Sequence, residues 1–136
     1  MTNTSSLTHP MNNRRTTAYL SLSGLLLLVI GATLLLAPHA IHASNGVSLG
    51  DNPSLLSEIG APGGMLAVSG AVALIAVFSA SLRRSAMLLS VLIYASFGMA
   101  RLLSIAMDGI PPTTIVGATA LELALALAGL ALLWRR

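Results

Sequence analysis

The sequence predicts an all-α protein, an antiparallel bundle of four transmembrane helices with both termini in the cytoplasm. Three observations lead there. The 136 residues are 55% hydrophobic and only 8% charged, with a mean hydropathy of +0.87. A soluble domain carries roughly 25% charged residues, so this chain cannot cover a water-facing surface. Four apolar runs follow one another, each long enough to cross a hydrocarbon core of about 30 Å. All seven basic residues are Arg, and six form the pairs Arg14-Arg15, Arg83-Arg84 and Arg135-Arg136. Four crossings bring these pairs to one side, which the positive-inside rule makes the cytoplasmic one.

The pairs also account for the pI of 10.7 as a topology signal rather than a phosphate-binding surface, so nucleic acid is not an expected partner. The lipid bilayer is. The length suits a single domain. With no cysteine, the chain has no disulfide framework, thiol chemistry or cysteine-held metal.

Residues 1–17 are polar and read as a disordered segment, leaving 18–136 as the transmembrane domain. The first helix is expected at about 18–37. A secretory signal is the rival reading, but the apolar core exceeds the usual 7–15 residues and Ile41 fits poorly before a cut at Ala43. Pro38 ends the helix. Residues 38–60 form an outer loop with turn signals at Asn45-Gly46 and Asp51-Asn52-Pro53. Asp51 or Asn52 can cap a short interfacial helix that has Pro53 in its first turn and carries Glu58 to the mouth of the bundle. His39 and His42 stand three apart, but spacing fixes no further ligand, so no metal site is assigned.

The second helix is expected at about 61–82, with Pro62 at its start or as a kink. Gly60, Gly64 and Ala67 share a face with Ala71 and suit close small-residue packing. Arg83-Arg84 lie in the turn that follows. In the third helix, at about 86–107, Ser90, Tyr94, Gly98, Arg101, Ile105 and Asp108 fall within about a third of the circumference. That polar stripe faces protein, and Leu89, Leu92, Ile93, Leu102 and Leu103 face lipid. The fourth helix, at about 113–134, groups Glu122 with Ala118, Leu125, Ala126 and Gly129 and ends on Trp134, an interfacial anchor. Gly98 and Gly129 are further close-packing positions.

An arginine at membrane depth costs a few kcal/mol and marks a functional site by default. Arg101 lies about 9 Å below the outer end of its helix and Glu122 about 14 Å down the next. A tight turn between antiparallel neighbours puts them in reach, with bidentate geometry available. Glu58, Asp108, Tyr94 and Ser104 complete the candidate binding residues.

The segments SEIGAPGG (Ser57 to Gly64), FGMARLLSIAMDGIPP (Phe97 to Pro112) and ALELALALAGL around Glu122 resemble a family of small bacterial membrane proteins catalogued as domain of unknown function 4345. The resemblance runs from about Leu20 onward. It implies a four-helix protein of the bacterial inner membrane and no established activity or cofactor. The family pattern has Arg two residues after the Glu of S-E, where this chain has Gly60. That departure leaves Arg101 as the sole internal counter-ion.

Three classes of function remain. The first is a binding or accessory module holding a lipid, a small amphiphile or a partner protein at Arg101. The second is a proton-coupled transporter acting as a homo-oligomer. The third is a structural ion pair alone. No HExxH or phosphate-binding glycine loop points to an enzyme, and only acid–base work by Glu58 and Asp108 stays open.

Overall fold

The computed structural model describes residues 11–135, with side chains from residue 14 onward. The expected disorder of 1–10 lies outside the described residues, whereas 11–17 are already helical. The helices are α1 (Met11–Leu36), α2 (Pro38–Ala43), α3 (Pro53–Phe78), α4 (Ala80–Asp108) and α5 (Thr113–Trp134). The described residues contain no strand, and α1, α3, α4 and α5 are each long and apolar enough to cross a membrane. The all-α four-helix expectation therefore holds.

Several boundaries differ from expectation for local reasons. The short interfacial helix and the second span are one helix, α3. Asn52 caps it by accepting a hydrogen bond from the Ser54 amide at 3.0 Å, and Pro53 occupies its first turn. Pro62 lies inside α3 without ending it. Its missing N–H frees the Glu58 carbonyl, on a turn close enough to the helix end for water to compensate. The outer loop contracts accordingly, and the six-residue α2 begins it.

The link from α3 to α4 is Ser79 alone, in extended conformation at φ −122° and ψ 108°. Arg83 and Arg84 therefore sit in the first turns of α4 rather than in a loop. Arg83 donates from Nη2 to the Val77 carbonyl at 2.8 Å and from Nε to that of Ala76 at 3.4 Å. A cation at these orphan carbonyls suits the negative end of α3.

Within the bundle α1 packs chiefly on α3 and α4 chiefly on α5, with α3 and α4 joining the two hairpins. The α1–α3 seam is made by glycines. A Cβ at Gly31 would lie 2.6 Å from the Gly63 carbonyl oxygen, and one at Gly70 would lie 2.6 Å from that of Gly24. The helices thus touch backbone to backbone, as lipid-embedded helices do where packing rather than water exclusion drives association. Ala67 lies on this seam. Gly64 does not, since nothing approaches its Cβ position within 4 Å, and Gly60 meets only the Leu35 side chain at 3.6 Å. The expected small-residue face keeps Ala67 but is rotated by about 60°, and centres on Gly63 and Gly70.

The core gathers Tyr19, Leu20 and Leu27 of α1, Leu66, Ala73 and Ala76 of α3, Met87, Ile93 and Tyr94 of α4, and Leu125 and Ala126 of α5. Ile93 is 7% exposed, so it faces protein and not lipid as its place off the polar stripe suggests. Leu92, Leu102 and Leu103 are exposed as expected, as is Trp134 at the end of α5.

Candidate functional site

The half of the bundle that carries α2 and the turn between α4 and α5 holds a cavity of about 190 Å³. Leu26, Ile30 and Leu34, one helix stripe of α1, form one wall, and Ala118 and Leu121 of α5 face them. Ile93 and Phe97 close it from α4 and Leu66 from α3. Ile30 of α1 is 38% exposed and Leu121 of α5 47%, so this side of the cavity is accessible from outside the bundle.

Its two ends are polar. Tyr94 lines the inner end and donates its hydroxyl to the Ser23 carbonyl of α1 at 3.0 Å. That bond, with the Ser23–Ser90 hydroxyl contact at 3.4 Å, ties α1 to α4 below the cavity. Further in, Tyr19 and Val91 crowd the Cβ position of Gly129, so no larger residue fits there. At the opposite end Thr114 donates its hydroxyl to the Asn45 side-chain oxygen at 2.9 Å. Both residues line the cavity, and their bond joins the turn after α2 to the first turn of α5.

Arg101 and Glu122 also line the cavity, and the structure brings them together as the sequence predicts. Gly98, one turn before Arg101, makes this approach, because its Cβ position is 2.7 Å from Leu123 of α5. The ion pair is side-on. Arg101 Nε donates to Glu122 Oε2 at 3.0 Å and to Oε1 at 3.3 Å. The expected two-nitrogen fork is absent, and no protein acceptor among the described residues binds Nη1 or Nη2. The Arg101 side chain is 35% exposed and that of Glu122 14%. The guanidinium keeps four N–H donors beside a mostly apolar chamber. Such donors are costly to leave unmade where water is scarce.

The other candidate residues divide. Asp108 accepts from the Ser104 hydroxyl at 2.9 Å, and both line a second cavity that also includes Arg101. Glu58 is exposed on α3 and lines neither cavity that contains Arg101. His39 pairs loosely with Asp51 at 3.8 Å and meets the Gly50 carbonyl at 3.0 Å. Among the described residues no three His, Asp or Glu side chains converge as metal ligands.

Sequence reasoning missed the α1 wall of the cavity and the Asn45–Thr114 bond. The first had a signal in the i, i+4, i+8 spacing of Leu26, Ile30 and Leu34. The second had none, because its partners are 69 residues apart. Residues 16–134 match the family described as Domain of unknown function (DUF4345). No curated protein and no solved structure matches the chain.

Proposed function

This chain belongs to that family, and we propose that it is a membrane binding module that takes an amphiphile from the bilayer into the cavity between α1 and α5. The multi-pass architecture is the premise. The observation that carries the reading is the set of unpartnered Nη donors of Arg101 beside an apolar chamber accessible from outside the bundle. An acyl or isoprenoid-like chain suits the Leu and Ile walls, and an oxygen-rich head suits the guanidinium. Glu122 holds Nε and so orients the guanidinium, leaving both terminal nitrogens for the ligand.

We place the protein in a bacterial inner membrane with Arg14-Arg15, Arg83-Arg84 and the C-terminal pair in the cytoplasm, on the positive-inside rule and the family resemblance. The cavity and the Asp108 turn then belong to the outer leaflet. The transporter alternative gains one supporting feature, the presence of Arg101 in two neighbouring cavities.

The test is native mass spectrometry of the full chain from gentle detergent, beside Arg101→Gln and Ala118→Phe. The wild type is expected to retain a lipid-like adduct that both variants lose. Identical adduct-free spectra for all three proteins would overturn the reading. Flux driven by a pH gradient in reconstituted vesicles, abolished by Glu122→Gln, would favour the transporter instead.

A further inference from the structure

Arg101 divides two compartments. Beyond the chamber, at the C-terminal end of α4, a second cavity of about 340 Å³ is lined by Arg101, Ser104, Ile105, Asp108, the Gly109–Pro111 turn and Ile115. Arg101 and Ile115 border both spaces. The second cavity lies nearer the end of the membrane span and is the more polar of the two in its side chains.

Its chemistry is split by position. At one end are the free donors of Arg101. At the other is Asp108, whose Oδ2 accepts from Ser104 at 2.9 Å. That bond settles the carboxylate orientation and leaves Oδ1 for another donor. Helix α4 ends here, where the Gly109 amide closes onto the Ile105 carbonyl and Gly109 takes φ +100°. The last carbonyls of a helix lack internal partners and carry partial negative charge. They add to the attraction of Asp108 for a cation. Along α4, Arg101 and Asp108 are about 10 Å apart, and both side chains line the same cavity. Donors therefore sit at the deep end and acceptors at the shallow end.

We infer that the ligand head is a zwitterion with an anionic phosphoryl group and a primary ammonium, as in an aminophospholipid. The inference rests on the proposed site at Arg101 and names its ligand class. The phosphoryl oxygens accept from Arg101 Nη1 and Nη2, and the ammonium donates to Asp108 Oδ1 and the α4 carbonyls. An apolar chain lies in the α1–α5 chamber. A quaternary ammonium has no N–H to donate to Oδ1. A purely anionic head meets Arg101 but leaves Asp108 facing like charge.

The experiment uses the full chain in gentle detergent with phosphatidylethanolamine, phosphatidylcholine and phosphatidylglycerol of identical acyl chains, read by native mass spectrometry. Wild type is expected to retain the ethanolamine lipid about tenfold better than the choline lipid, the scale of one charge-assisted hydrogen bond. Asp108→Asn is nearly isosteric at an exposed site, so folding is preserved. It is expected to bring that ratio close to one while lipid is still retained. Ser104→Ala, which frees Oδ2 but keeps the carboxylate, should leave most of the preference. Equal retention of the lipids by wild type, with loss of all three in Arg101→Gln, overturns the headgroup inference and leaves the Arg101 site standing. An unchanged ratio in Asp108→Asn also overturns the inference. Wild type holding none of the three lipids overturns both.

Discussion

On one flank α1 meets α3 at backbone level, glycine against carbonyl. On the other flank it stands apart from α5 around a cavity whose polar lining comes mostly from α4 and α5. Both flanks belong to one apolar helix and face similar surroundings. The difference lies in side-chain size. In lipid there is no water to exclude, so two helices hold together only where atoms touch. Gly24 and Gly31 supply that touch on one side, and the branched residues Leu26 and Ile30 line the open side. A firm seam lets the opposite flank remain loose without loss of the fold.

The largest effect is expected from breaking the seam. Gly70→Leu places four carbons where even the first would lie 2.6 Å from the Gly24 carbonyl oxygen, and backbone cannot turn aside as a side chain can. We expect a loss of about 3 kcal/mol or more, seen as a failure to recover a monodisperse protein or a collapse of its thermal transition. A wild-type transition would show that the seam does not hold the hairpin.

Next comes the ion pair. Arg101→Leu strands Glu122 and Glu122→Leu strands Arg101, each costing about 2–3 kcal/mol. The double variant should recover about 1–3 kcal/mol relative to the sum. Strict additivity in thermal or steric-trapping measurements would separate the two residues energetically. The stable double variant should still lose its adduct, which divides a binding role from a purely structural one.

Ala118→Phe fills the loose flank. Stability should change by less than about 1.5 kcal/mol, because space exists there, while adduct retention disappears. The smallest contrast is between neighbours. Gly64→Ala should be neutral or stabilising by up to about 1 kcal/mol through helix propensity. Gly63→Ala should destabilise, since its Cβ position is 2.9 Å from Leu34 and 3.0 Å from the Gly31 oxygen. Equal transitions for the two variants would contradict the rotation of the seam.

Much of this was legible in the chain. Hydropathy gave the four spans, and the Arg101–Glu122 pair followed from one cation, one acid and a tight turn between them. The seam was misplaced because Gly60, Gly63, Gly64, Ala67, Gly70 and Ala71 offer two overlapping small faces on α3. Only the position of Gly24 and Gly31 on α1 selects between them. The side-on geometry was hidden for a related reason, since it depends on how two helices are placed against each other, which spacing within one helix does not report. Ile93 was placed in lipid because an apolar stripe looks alike whether it meets acyl chains or a cavity wall. The merging of the interfacial helix into α3 turned on whether Pro62 stops a helix or merely bends it, and the nearness of the helix end decided that.

The single-residue joint at Ser79 has a mechanical meaning. It sits at the far end of the bundle from the cavity, and at the other end the Asn45–Thr114 hydrogen bond crosses between the hairpins. Helix α4 has 29 residues, so it is a lever about 43 Å long. One degree of tilt at its base moves its tip by roughly 0.7 Å at that length. Between that joint beside Arg83 and the chamber, α4 is tied to α1 by the bond from Tyr94 to the Ser23 carbonyl.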